Sequence, residues 1–376
     1  MRGPVHVWPD PPRRTGDVLE VAAELHWPFA LSRLRKPRRQ RVWIRVPAEY
    51  EVSEVAVGDA FLLGTVFGGM RLSGGIRLHA RATAGLVENL HALQALWVTR
   101  HPDKYRPAPI ECDAVEKGAP RTGPSVLAYS GGLDSSYSLH RHTSPDRPAD
   151  GPVVGAAVML HGADIPWQET AAFEEAFAGS RRMTQSRGVP LLRAVTNLRV
   201  VKQNWTHSCP ATLAAVMSLL RSRFASGLVA VGFTVEEARQ WWPQDLTDPP
   251  LLSSPSFPVI GDGYESDRFE KLVAIRDWPE AMESLRVCFR PGSWTGNCGA
   301  CFKCQVAGLF ARLACGGAPP FMPRAMTEAD IRELATRGDR NMGLRLSQLL
   351  DHARRRGVRD HWIVEVQRVY EACGGR

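Results

Sequence analysis

Two groups of residues in this 376-residue chain have types and spacings that can do chemistry. The first is Ser130-Gly131-Gly132-Leu133-Asp134-Ser135-Ser136, set between the apolar run SVLAYS and a segment that starts like a helix. Two glycines let a backbone turn tightly and approach a ligand closely. The N–H groups of Gly131, Gly132 and Leu133 can then face an anion. The helix N-terminus adds a favourable dipole, and the serine hydroxyls donate further hydrogen bonds. A phosphate or pyrophosphate is the natural guest. Asp134 would repel a bare phosphate, so it makes sense as a helix cap or as a ligand to a phosphate-bound Mg²⁺. No Lys-Ser or Lys-Thr follows the glycines, which excludes a Walker A loop.

The second group is Cys288-x9-Cys298-x2-Cys301-x2-Cys304, four of the eight cysteines within seventeen residues. Four thiolates at this reach suit tetrahedral Zn²⁺. An iron–sulfur cluster uses the same ligands, and spacing alone leaves both open. With all four ligands from protein, no coordination position is left for catalysis, so the site is expected to be structural. Gly296, Asn297 and Gly299 permit the tight turn, and Arg286, Arg290 and Lys303 can offset the negative charge of the thiolates. Cys112, Cys209, Cys315 and Cys373 are isolated.

The elements that must hold these groups follow from periodicity. From residue 125 the chain alternates strand and helix. VVGAAVML (153–160), PLLRAVT (190–196) and LVAVGF (228–233) read as buried strands, and 169–188 and 212–227 as helices closed by Gly188 and Gly227. This is the βα rhythm of a doubly wound parallel sheet, an α/β fold. Residues 243–268, with five prolines, read as a long loop beside the sheet. Residues 1–118 read as a separate α+β domain, with strands at 42–47 and 76–82, an apolar run at 60–67 and an amphipathic helix at 83–101 capped by Thr83. A Gly- and Pro-rich linker follows it. Residues 311–376 read as a helical extension.

The stretch at 130–136 looks like the SGGxDS signature of the PP-loop ATP pyrophosphatases, or adenine nucleotide α-hydrolase-like enzymes. That resemblance implies ATP held by Ser130, Gly131, Gly132, Leu133, Asp134, Ser135 and Ser136, with adenine near Leu160 and His161 at the end of the next strand. It implies catalytic roles for Asp134 and Ser135. A carboxylate or carbonyl oxygen attacks the α-phosphate, AMP stays on the substrate, and pyrophosphate leaves. With the cysteine cluster added, residues 125–310 resemble 7-cyano-7-deazaguanine synthase (QueC), a family that joins this loop to a C-terminal Cys-x8-Cys-x2-Cys-x2-Cys zinc site. That family activates the carboxylate of 7-carboxy-7-deazaguanine with ATP, and ammonia converts it to an amide and then a nitrile.

Three departures stand out. Asn204-Trp205-Thr206-His207-Ser208-Cys209-Pro210 replaces a Pro-Gly-Arg-Asn-like stretch, His161-Gly162-Ala163-Asp164 replaces a Tyr-Gly-Gln-like turn, and both ends are extended. In this the chain is similar to the enlarged synthase-like proteins of bacterial anti-phage systems (Qat and type IV CBASS). There the resemblance implies that a deazaguanine carboxylate is joined to the amine of a protein partner from the same operon. The expected function is therefore an AMP-forming carbon–nitrogen ligase with ATP, Mg²⁺ and Zn²⁺. The alternatives are a nitrile-forming synthase using ammonia, an RNA-modifying PP-loop enzyme, and a nucleotide-sensing subunit without turnover.

Single residues invite weaker readings. Asp164, Trp205, His207 and Cys209 fall where a substrate can lie, Trp241 and Trp242 can stack on a base, and Arg268 or Lys271, beside Glu265, can hold a carboxylate. The net charge is +8, with a basic run Arg33–Arg41 that suits a solvated loop or an acidic protein surface; without interleaved aromatics it argues against nucleic acid. No unbroken run of 18 apolar residues and no leader-like apolar stretch occurs, so a cytosolic protein without a membrane span is expected.

Overall fold

In VLEVAAELHW every second residue from Leu19 to Trp27 points inward, the period that makes a half-buried strand. A computed structural model describes residues 3–28, 38–147, 149–201, 203–242, 244–288, 296–336 and 341–374. The first part runs β1 (Val5–Pro9), β2 (Arg13–Thr15), β3 (Val18–Trp27), β4 (Arg38–Pro47), α1 (Glu54–Leu72), β5 (Ile76–Thr83), α2 (Ala84–Arg100) and β6 (Ile110–Glu116). The central part runs β7 (Ser125–Ala128), α3 (Leu133–Thr143), β8 (Val154–His161), α4 (Thr170–Ser186), β9 (Leu191–Thr196), α5 (Trp205–Ser218), β10 (Ser226–Ala230), α6 (Val235–Trp241), α7 (Gln244–Leu251), β11 (Val259–Asp262), α8 (Arg268–Ile275) and α9 (Pro279–Ser284). Helices α10 (Phe302–Cys315), α11 (Glu328–Leu334), α12 (Met342–Arg355) and α13 (His361–Ala372) complete it.

Among the described residues all strands form one mixed, mostly parallel sheet of eleven, ordered β11-β10-β7-β8-β9-β4-β3-β1-β5-β6, with β2 on β3. The expected boundary at 118–124 is therefore not a break in the sheet. β4 pairs antiparallel with β9 through Ile44↔Thr196 and Arg45↔Val195. Asn197 seals the seam, accepting from the Trp43 amide at 2.8 Å and donating to the Arg41 carbonyl at 3.1 Å. Behind the sheet α1 packs on α5, and buried Asp59 pairs with Arg221 at 2.7 Å. Asp59 also accepts from the Thr83 amide and hydroxyl, so Thr83 starts α2 without capping it through its side chain.

Burial on both faces explains the near-continuous apolar strands of the parallel part. In β7, Val126 and Ala128 join a core shared with α1, α2, β1, β3, β4 and β5, while Leu127 and the following Tyr129 join a second core with α8–α13. The C-terminal helices thus share that second core with the sheet. The apolar run at 60–67 lies in α1, which is long and apolar enough by composition to cross a bilayer but is mostly buried here. A Cβ on Gly58 would come 1.9 Å from the Arg81 carbonyl oxygen, so only glycine lets α1 lie this close to β5. Two expectations are corrected. The helix expected at 212–227 begins at Trp205, carries Pro210 inside and stops at Ser218, and Gly227 lies in β10. The loop expected at 243–268 contains α7 and β11.

Candidate functional site

β7 has β8 on one side and β10 on the other, so the chain leaves its neighbours in opposite directions at the strands' C-terminal ends. Such a switch point opens a crevice in an open α/β sheet. Ser130–Gly132 occupy it. Gly131 has φ +70°, and a Cβ there would meet Ser180 Oγ at 2.6 Å. Ser135 ties the turn together: its Oγ accepts from the Ser130 amide and donates to the Gly132 carbonyl, each at 3.2 Å. The Gly132 amide donates to Ser130 Oγ at 3.2 Å. Ser136 faces inward, its Oγ 3.1 Å from Tyr129 Oη. The Arg286 amide donates to the Gly131 carbonyl at 2.8 Å, fastening the turn to the segment that leads into Cys288.

Two cavities meet at this turn. One, of about 310 Å³, is lined by Leu160, Met159, Ile165 and Phe173 among apolar groups, with Asp164 and Cys209 on its wall. The other, of about 120 Å³, carries Arg268, Arg286, Lys303 and Arg345. Ser130, Asp134 and Arg286 line both. The second cavity thus has four cations and a single carboxylate, Asp134, on its wall.

Asp134 lies at the first turn of α3, with Oδ2 3.1 Å from Arg268 Nη2 and Oδ1 3.7 Å from Lys271 Nζ. Burial alone would push its carboxyl up, but Arg268, Lys271 and Arg345 outweigh that and hold it below the usual carboxylate range. Lys271 is fully buried and donates to the Val231 carbonyl at 2.5 Å. Burial lowers its pKa and Asp134 draws it back up. Arg345 reaches in from α12, 2% exposed, donating to Gln348 Oε1 at 2.9 Å and the Gly232 carbonyl at 3.2 Å. Burial lowers it to about 9, so it stays charged at neutral pH. Two buried cations therefore hold the loop after β10 by its carbonyl groups.

The cysteine cluster is assembled as its spacing implies. The four sulfurs of Cys288, Cys298, Cys301 and Cys304 lie within 4.8 Å of one another. Cys288 and Cys301 are 3.8 Å apart, and Cys298 and Cys304 3.9 Å. A regular tetrahedron with Zn–S bonds of about 2.3 Å has edges of about 3.8 Å, so the donor set fits zinc. Amides of Cys301 and Cys304 point at the sulfurs of Cys298 and Cys301 at 3.2 and 3.5 Å. Hydrogen bonding from Cys304 lowers the pKa of the Cys301 thiol. Asn297 clasps the knuckle: its Oδ1 accepts from the Val287 and Cys288 amides, and its Nδ2 donates to the Leu285 and Phe321 carbonyls. Cys301 starts α10, which carries Phe302, Lys303 and Val306 into the cationic cavity. The cysteine cluster and the turn are thus two ends of one structure. Arg290 lies outside the described residues.

Leu160 lines the apolar cavity, but His161 turns aside: its Nε2 donates to the Pro166 carbonyl at 2.9 Å and its ring stacks on Phe173 at 4.2 Å. Burial lowers the His161 pKa, so it supports a wall as a neutral ring. Burial and the nearby Asp164 push the Cys209 thiol up, the opposite of an activated nucleophile. His207 points away from the cavity to Tyr105, and Trp205 lies against Arg199. Trp241 and Trp242 line neither cavity, and Glu265 accepts from Tyr137 at 2.6 Å outside both. The sequence reading missed Arg345 and the part played by Arg286 and Lys303 in this cavity. No protein-family model, curated protein or solved structure matches this chain.

Proposed function

We propose that this chain is an ATP-dependent, AMP-forming ligase that activates the carboxylate of a 7-deazaguanine and passes it to an amine, that of a partner protein in anti-phage defence. The observation that carries the reading is the junction of an apolar and a cationic cavity on the Ser130–Ser136 turn. Adenine is flat and apolar-faced and suits the wall made by Leu160, Met159 and Phe173; the triphosphate suits the turn and its four cations. The substrate carboxylate attacks the α-phosphate and pyrophosphate leaves. The amine then attacks the mixed anhydride, releasing AMP and a proton. Catalysis here is positioning and charge stabilisation by Ser130, Ser135, the loop amides and the arginines.

Zinc, where the four cysteines hold it, braces Arg286 and α10 and takes no part in the chemistry. Divalent-ion ligation by Asp134 does not fit the arrangement, since both its oxygens face cations. Its role in this reading is to orient Arg268 and Lys271.

The base and the amine rest on the sequence resemblance. The test is mass spectrometry of reactions containing ATP and 7-carboxy-7-deazaguanine, with ammonia or with the proteins encoded beside this one. AMP, pyrophosphate and a mass gain on a neighbouring protein are expected. Nitrile or amide formed efficiently with ammonia, and no protein gaining mass, would replace conjugation by the plain synthase reaction. No AMP with any carboxylate would end the ligase reading.

A further inference from the structure

The C-terminal helices bring an unusual group to the turn. Arg345 is buried to 2% exposure, yet among the described residues no carboxylate pairs with it. Its contacts are the neutral oxygens of Gln348 and Gly232 and the face of Phe233 at 4.9 Å. Glu237, Asp134 and Asp267 act on it only through space. Gln348 is itself held by Glu237, to which its Nε2 donates. A buried cation without a counter-ion is costly, and an anion that joins it offsets that cost. Lys271 is equally buried, and among the described residues the carboxylate it pairs with, Asp134, is shared with Arg268. Of the cations on this cavity wall, Arg345 is thus the one held by neutral oxygens alone at almost complete burial.

We infer that Arg345 is a ligand for the β and γ phosphates of ATP and for departing pyrophosphate, so that α12 completes the nucleotide site. The inference rests on the ATP reading and adds to it a specific contact from outside the 125–310 region. Pyrophosphate supplies the anion that Arg345 lacks, whereas AMP places its single phosphate at the junction and leaves Arg345 untouched. Gln348 and the Gly232 carbonyl hold the guanidinium fork in place before the ligand arrives, which lowers the cost of ordering it.

The experiment is calorimetric titration of the full-length zinc-loaded protein with inorganic pyrophosphate, ATP and AMP, comparing wild type with Arg345→Gln. Loss of one charged hydrogen-bonding group is expected to weaken pyrophosphate and ATP about tenfold or more and AMP less than about twofold. Unchanged pyrophosphate affinity in Arg345→Gln overturns the inference and leaves the ATP reading standing. Equal losses for AMP and pyrophosphate also overturn it, since Arg345 would then shape the whole pocket. If wild type binds neither ATP nor pyrophosphate, the ATP reading fails and the inference with it. Should Arg345→Gln not fold, Arg345→Lys is read in the same way: pyrophosphate weakened with AMP unchanged supports the contact, and both unchanged overturns it.

Discussion

In the N-terminal half of the sheet, cations sit on the solvated face and meet carboxylates there: Arg41 with Asp10 at 2.5 Å, Arg45 with Glu20 at 2.8 Å, Arg77 with Asp113 at 2.6 Å. In the parallel half, Lys271, Arg286 and Arg345 are buried, and carbonyl groups accept from all three. The first arrangement adds little stability and costs little, because water screens each pair. The second costs stability and persists where the surrounding structure over-determines it. The difference separates a half that is built from a half that is equipped. It also gives the adjoining four-cysteine cluster a use: a metal held there would brace a cavity whose own lining works against folding.

Removing that brace should give the largest effect. Purified protein is expected to hold about one zinc per chain, and Cys301→Ser should cost several kcal/mol, since binding energy at a structural site is also folding energy. Hydrogen exchange should speed up in α8, α10 and the Ser130–Ser136 turn before it does in β1, β3 and β5. Metal analysis that finds no zinc, or iron with visible absorbance, breaks this half of the comparison. So does an unchanged thermal transition in Cys301→Ser.

Next come substitutions in the turn, which should separate activity from stability. Ser135→Ala removes the hydroxyl that ties Ser130 to Gly132, and AMP formation should fall about 100-fold while the thermal transition barely moves. Asp134→Ala should abolish turnover and also lower stability by about 2 kcal/mol, because Lys271 then stays buried without its carboxylate. Undiminished pyrophosphate release in both variants would remove the turn from the chemistry.

Which parts of this were legible in the sequence follows from the range of the forces involved. The strand–SGGLDSS–helix junction and the cysteine knuckle are local, and backbone turn and ligand spacing announce them. So is α2, whose Leu86, Leu90, Leu93 and Trp97 are buried at helical spacing. Helix α1 is buried nearly all round, so its apolar residues show no one-sided period. Prolines 249 and 250 read as loop, yet they lie inside α7. The seam between β4 and β9 joins residues about 150 apart, and nothing local specifies it. Arg345 was hidden for a compositional reason. Of 47 basic residues only six are Lys, so any one Arg stands out little, whereas Lys271 and Lys303 do.

The seam between the halves should respond to acid. His207 on α5 meets Tyr105 Oη at 2.6 Å and packs on His101 and Trp97 from the N-terminal half. Burial, with smaller contributions from His101 and Lys104, lowers its pKa from 6.5 to about 4. Unfolded chains then bind the proton more readily than folded ones, so this contribution is complete above pH 6.5 and is lost as pH falls toward 4. The loss is about 3 kcal/mol at most. Thermal melts of wild type and His207→Gln between pH 7 and pH 4 should converge as the pH drops. Parallel curves would mean that the seam does not exclude the imidazolium.

Charge reversal on the solvated face should change stability least. Arg39 has a side chain 74% exposed, and among the described residues the carboxylate it meets is Glu24, 3.9 Å away. It lies in β4 opposite His26, with Arg38 beside it opposite Trp27. Arg33–Pro37, the first part of the basic run, lie outside the described residues. Screened pairs of this kind contribute a few tenths of a kcal/mol, so Arg38→Glu with Arg39→Glu should shift stability by less than about 0.5 kcal/mol. Net charge falls from +8 to +4, since each reversal removes two units. ATP-dependent AMP formation with a small carboxylate should not change, because neither residue lines the two cavities. If this face meets an acidic partner, conjugate yield should drop, and in wild type it should fall with added salt. Full conjugation by the double variant would move the docking surface elsewhere. A stability loss above about 2 kcal/mol would be more damaging, because charges that expensive to reverse are not screened, and the contrast between the two halves would no longer hold.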